Sequence, residues 1–120
     1  MNAAAIRVAR LAGAVGAEIS GIDLREPLPA EQRAAVRRIW LEHGVVFLRE
    51  QPLTSDQFLV FAEAIGTPVE YPFVNGIAGY PKIIEVKKLE HEKVNFGGVW
   101  HTDTAYLDRP PMATLLLARE

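Results

Sequence analysis

"WHTDTAYLDRPPMATLLLARE", Trp100 to Glu120, is the stretch on which the fold turns. Its first part reads as extended chain, and in a strand residues i and i+2 point to the same face. The His101 imidazole and the Asp103 carboxylate are therefore aimed into one space, with Thr102 turned away. Such a pair is a metal site, two solvated surface side chains, or a satisfied polar pair in a core. Trp100 is expected to pack in a core, because a Trp buries so much area. Tyr106 lies further along the same extended run. After the turn at "LDRPP", the run "MATLLLA" is apolar but for Thr114, as in a strand buried on both faces. A strand of that kind needs a neighbour on each side. The chain is accordingly expected to be truncated, with its sheet unfinished.

Working back from this stretch, "KLEHEKVNFGG" is a polar loop ending in a glycine pair, and "KIIEVK" reads as a strand. "GTPVEYPFVNGIAGYP" is a loop rich in Pro and Gly. Before it, Thr54 and Gln57 have the spacing of a capping box. Phe58, Phe61, Ala62 and Ile65 give the helix that follows an apolar face, and Gly66 ends it. "VVFL" is expected to be a short buried strand. From Pro29 to His43 the pattern is helical, with Val36, Ile39, Trp40 and His43 spaced i, i+3, i+4, i+7 on one face. Pro29 suits the first turn, and Gly44 is the stop. Nearer the N-terminus, "IRVARL" and "AVGAEISGIDL" alternate as strands do, and Gly21 marks a bend where a side chain would be in the way. There is no internal repeat. At 120 residues a single domain is expected.

Composition excludes several classes. Thirteen basic against fifteen acidic residues leave a net charge of −2, which gives no electrostatic footprint for nucleic acid or an anionic membrane. The absence of cysteine removes disulfides, Cys-ligated zinc, iron–sulfur clusters and thiol nucleophiles. Arg7, Arg10 and Glu18 interrupt the small-residue N-terminal segment, so it has neither a signal-peptide apolar region nor a spanning segment. A cytoplasmic protein is the simplest expectation.

An imidazole and a carboxylate on one face can occupy adjacent positions of an octahedral ion. With one more ligand from elsewhere they form the two-His, one-carboxylate facial set that holds non-haem Fe(II) with open positions. His91, in the charged stretch "KLEHEK", could complete such a set within the chain. That gives a second reading, a small metal-binding module. His43 stands at a helix C-terminus, where a structural role favoured by the helix dipole is expected.

"GAEISGIDLREPL", "HGVVFLREQPLT", "FAEAIG" and "WHTDTAYLDRPPMATLLLARE" follow one another in order and at separations that resemble the N-terminal part of the taurine dioxygenase family. That family includes phenoxyalkanoate and alkylsulfate dioxygenases. The resemblance runs from about Gly13 to Glu120, and Trp-His-Thr-Asp followed by Pro-Pro is its most specific part.

The resemblance implies a mainly β fold with flanking helices, a double-stranded β-helix or jelly roll. Residues 1–120 would be the N-terminal part of a longer dioxygenase domain. It also implies Fe(II) as cofactor, α-ketoglutarate as cosubstrate and O₂, with His101 and Asp103 ligating the metal. The third ligand and an Arg that binds ketoglutarate would come from a distal segment. The reaction implied is hydroxylation of an unactivated C–H bond of a small organic acid, a sulfonate, sulfate ester or aryloxy acid, with release of succinate and CO₂. Asn95, leading into the motif with Gly97 and Gly98, is a candidate for cosubstrate binding or simply part of a turn. Tyr71 and Tyr106 are candidates for lining the substrate pocket. The taurine enzyme has a His followed by Pro-x-Tyr in the loop after the second helix. Here "EYPFV" puts Tyr71 at the His position and Val74 at the Tyr position, which counts against taurine and favours a larger or more apolar substrate. The partners expected are a small-molecule substrate and O₂, with homo-oligomerisation left open. The alternative is a non-catalytic jelly-roll fragment.

Overall fold

The structure, a computed structural model, describes residues 5–119. The chain divides after Pro68 into two compact units.

The first unit is built on a three-stranded sheet. Strands β1 (Arg7–Arg10), β2 (Ala17–Ser20) and β3 (Val46–Phe47) lie in that order, with β2 central. β1 and β2 are antiparallel, with Arg7 opposite Ser20 and Arg10 opposite Ala17. β2 and β3 are parallel, with Ala17 opposite Val46 and Glu18 opposite Phe47. A parallel pair needs a crossover, and helix α1 (Ala30–His43) supplies it. The bend expected at Gly21 is present, at φ 89°. A Cβ there would run into the Ala5 carbonyl, so the chain can turn after β2 only without a side chain.

One face of α1 makes the core. Val36, Ile39 and His43 are buried, at the spacing read from the sequence. Val36 and Ile39 meet Ile19 of β2, with Ile6, Ile22, Val46, Phe61 and Ile65 packed around them. Burying Val36 contributes about 1.5–3 kcal/mol. Pro29 takes the N-cap position rather than the first turn, and Gly44 ends the helix at φ 74°, its N–H donating to the Trp40 carbonyl at 2.7 Å. His43 is buried, at 8% exposure. Its carbonyl accepts from the Gly16 N–H at 2.9 Å and so ties the helix end to the start of β2.

Helix α2 (Ser55–Ile65) carries the expected capping box. The Thr54 hydroxyl accepts from the Gln57 N–H at 3.2 Å, and the Gln57 side chain accepts from the Thr54 N–H at 2.9 Å. Gln51 joins two loops. Its Oε1 accepts from the Leu24 N–H at 2.9 Å and its Nε2 donates to the Ile22 carbonyl at 3.2 Å, as a strand backbone would. β3 departs from expectation. It is an edge strand, and Phe47 is 45% exposed rather than buried.

The second unit, Val69–Ala118, is held by turns. The Ile77 N–H donates to the Ile83 carbonyl at 2.8 Å and the Ile83 N–H to the Tyr80 carbonyl at 3.1 Å, closing the loop 77–83. Neither "KIIEVK" nor "MATLLLA" forms a ladder among the described residues. A strand is defined by a ladder of hydrogen bonds with a partner strand, and among the described residues neither segment takes part in one, Ile83 bonding instead within the loop 77–83. The second still shows the period of a strand, with Ala113, Leu115 and Leu117 half-buried and Leu116 88% exposed. Among the described residues more therefore lie in the two α-helices than in the three strands, against the mainly β expectation. Among the described residues no helix is long and apolar enough to cross a membrane.

Candidate metal centre

The approach to the motif is a tight turn. The Gly98 N–H donates to the Asn95 carbonyl at 3.0 Å, and Gly97 sits at φ 69°, the third-position geometry of a type II turn. The turn delivers the Val99 carbonyl to His101, whose Nδ1 lies 2.7 Å from it. A carbonyl oxygen only accepts, so Nδ1 carries the proton. In the neutral ring the Nε2 lone pair is then free, as a metal-binding histidine requires.

Asp103 stands on the other side of that lone pair. Its Oδ1 is 3.4 Å from His101 Nε2, so the two groups do converge as the i, i+2 spacing predicts. Asp103 opens a short 3₁₀ turn, Thr104–Tyr106, and its carbonyl accepts from the Ala105 N–H at 2.7 Å. Its carboxylate makes no capping bond to that turn. Thr104, buried at 8% exposure, anchors the segment. The extended run read through Tyr106 thus breaks after Asp103.

The separation is informative. A charge-assisted hydrogen bond between these groups would measure about 2.7–2.9 Å. Two cis ligands each about 2.1 Å from an octahedral ion stand about 3 Å apart. At 3.4 Å the two atoms are further apart than in such a hydrogen bond and close to the spacing of two cis ligands. The donor set, one imidazole nitrogen and one carboxylate, suits a borderline divalent ion such as Fe(II). Both side chains are open to solvent, His101 at 50% and Asp103 at 85%.

Among the described residues no group of three or more His, Asp or Glu side chains is placed to hold an ion. His91 therefore does not join His101 and Asp103, and the metal module read around it is not assembled. Its loop is held instead by a local turn, where the Leu89 N–H donates to Glu92 Oε2 and the Glu92 N–H to the Leu89 carbonyl. Trp100 is the clearest reversal. It is fully exposed, at 104%, rather than packed in a core.

The two tyrosines are brought together by a residue the sequence reading passed over. Phe73 packs edge-on to Tyr71, ring centroids 5.4 Å apart, and tilted against Tyr106 at 6.4 Å. The signal was present, since "EYPFV" sets Phe73 two residues after Tyr71. Tyr71 also borders an open depression of about 250 Å³, lined with Glu70, Val74, Asn75, Ile77 and Pro81 among others. Asn95 contributes its backbone carbonyl to the turn before the motif.

A family model described as "Taurine catabolism dioxygenase TauD, TfdA family" matches residues 7–120. The chain belongs to this family. Among TauD/TfdA relatives it is 34% identical to an alkylsulfatase of Acinetobacter baylyi over 112 residues, 92% of this chain and 34% of that protein. It is 32% identical over 107 residues to an alpha-ketoglutarate-dependent sulfate ester dioxygenase of Pseudomonas putida, 88% of this chain and 35% of that one. The chain thus spans about a third of the length of these curated relatives. A solved taurine dioxygenase from Burkholderia xenovorans superposes with a TM-score of 0.59 at 35% identity, over 63% of this chain and 28% of that one. A second solved structure, AAD-2 in complex with Mn(II) and N-oxalylglycine, gives 0.53 at 26% identity, over 54% and 24%. The sheet and helices described above therefore match a TauD-type dioxygenase in part.

Proposed function

We propose that this protein is an Fe(II)- and α-ketoglutarate-dependent dioxygenase in which His101 Nε2 and the Asp103 carboxylate are two of the metal ligands. The convergence of these two groups, with Nδ1 tied to the Val99 carbonyl, is the observation that carries the reading. TauD/TfdA membership and the Mn(II) in a solved relative support it. In this reading the 120 residues are the N-terminal part of a longer jelly-roll domain. The third ligand and the Arg that binds ketoglutarate come from residues beyond them, and the whole works in the cytoplasm on a small molecule and O₂.

When bound, the iron would couple oxidative decarboxylation of α-ketoglutarate to hydroxylation of an unactivated C–H bond. The chain's own residues hold and orient. Asp103 brings negative charge to a dication, and His101 is fixed in the tautomer that leaves Nε2 free. In this reading the Asn95 amide bonds the cosubstrate. Tyr71, Phe73 and Tyr106 give the substrate a largely apolar wall.

Sulfate esters are the favoured substrates. Two relatives are named for them, and Tyr71 and Val74 replace the polar pair that the taurine enzyme uses on its sulfonate. Hydroxylation of the carbon that bears the ester oxygen gives R–CH(OH)–O–SO₃⁻. This species loses its hydroxyl proton, forms the aldehyde and breaks the C–O bond to release sulfate.

The test is succinate formation by the intact protein with Fe(II), α-ketoglutarate and linear alkyl sulfates. Asp103→Ala should lower it by more than about 100-fold, since losing a ligand exceeds the usual effect of losing a ligand's partner. Glu90→Ala should leave it unchanged. Near-normal succinate from the Asp103→Ala protein would remove the metal role.

A further inference from the structure

The space where a side chain at Gly97 would go borders the His101 ring. A Cβ built at residue 97 would stand 3.3 Å from His101 Cε1 and 3.7 Å from Nε2. The first distance is inside the 3.5–4.0 Å of ordinary carbon contact, and it falls on the edge of the ring that faces Asp103. Gly98 is equally confined, with a Cβ there falling 3.1 Å from the Asn95 carbonyl oxygen that its own N–H bonds. A continuous path thus runs from the Asn95 carbonyl through the Gly98 N–H and the Val99 carbonyl to His101 Nδ1, in steps of 3.0 and 2.7 Å.

We propose that the Asn95–Gly98 turn is a positioning device for His101, with Gly97 and the Val99 carbonyl as its working parts. The carbonyl selects the Nδ1–H tautomer, and the missing side chain at Gly97 leaves space for the Cε1–Nε2 edge of the ring, with Nε2 toward Asp103. This rests on the reading of His101 as a metal ligand. A free imidazole in water prefers its proton on Nε2, which would block the lone pair that the metal needs. The Asp103 carboxylate, 3.4 Å from Nε2, favours a proton there, and the shorter 2.7 Å contact with the Val99 carbonyl is what holds it on Nδ1.

Gly79 provides the control. It too has a positive φ, 79°, yet a Cβ there would meet nothing within 4 Å. Gly79→Ala therefore carries the backbone strain of Gly97→Ala without crowding a histidine. The measurement is the ¹⁵N shifts of the His101 ring, read at a pH where the imidazole is neutral and assigned with His101→Asn. Unchanged amide shifts in residues 5–68 check that each variant is folded.

The wild type should show Nδ1–H as the major tautomer. Gly97→Ala should reverse the ratio, and Gly79→Ala should leave it alone. A wild type that favours Nε2–H overturns the proposal, as does a Gly97→Ala protein with the wild-type ratio or an equal change in Gly79→Ala. Added Mn(II) gives an independent readout. It should broaden the His101 ring signals, and Gly97→Ala should need about 10-fold more metal for the same broadening. If the tautomer responds as expected while Mn(II) never broadens His101, the positioning stands and the metal-ligand reading fails.

Discussion

Two ligands hold a divalent ion far less tightly than three or four, and the geometry of His101 and Asp103 allows the difference to be worked out. Four-ligand structural zinc sites bind with about 10–16 kcal/mol, which is about 2.5–4 kcal/mol per ligand. Two ligands then supply about 5–8 kcal/mol with zinc. Mn(II) lies at the weak end of the divalent series and lowers that figure. Ordering two side chains that are 50% and 85% exposed takes off about another 1 kcal/mol or more. What remains is about 4–5 kcal/mol, a Kd of about 0.2–1 mM. Calorimetry with Mn(II), as a redox-stable stand-in for Fe(II), reads this on the 120-residue chain, and Asp103→Ala should abolish the residual heat. Adding α-ketoglutarate should not tighten the binding. One-to-one binding at micromolar Kd would mean that a third ligand lies within the chain. His91 would then be the first to substitute.

Two further outcomes follow from the first unit. Gln51→Leu should lower stability by about 1–3 kcal/mol in urea denaturation, since it strands the Leu24 N–H and the Ile22 carbonyl, and Leu24 is only 5% exposed. Asp23 should titrate at about 2 rather than at its ordinary 3.8, because Arg25 bonds its carboxylate through both side chain and backbone. A lowered folded-state pKa means that any stabilisation from the pair is complete above about pH 4 and lost as the pH falls through about 2. Carboxyl NMR should show the midpoint moving back up in Arg25→Ala, and an unmoved midpoint would refute the assignment.

Where the chain's order depends on neighbours three or four residues away, the sequence alone determined it. Thr54 and Gln57 cap α2 through bonds made within one turn of helix, and Gly44 ends α1 because only a residue tolerant of positive φ continues the chain there. The face of α1 that carries Val36, Ile39 and His43 follows from the helical period, and the meeting of His101 with Asp103 follows from the period of two. The four quoted segments, in order, sufficed for the family.

The tertiary structure decided whatever needed a partner distant in sequence. "AEIS" and "VF" became strands because they pair with each other across the α1 crossover. "KIIEVK" and "MATLLLA", no less apolar, have no ladder among the described residues, because a strand's hydrogen bonds come from another segment and not from its own composition. Trp100 faces solvent for the same kind of reason, since its large apolar area sets what burial would gain but not whether a neighbour is there to cover it. Phe73, which brings Tyr106 to Tyr71, is a contact between loops distant in sequence. Periodicity says nothing about loops, because their paths are set by turns and packing rather than by a repeat.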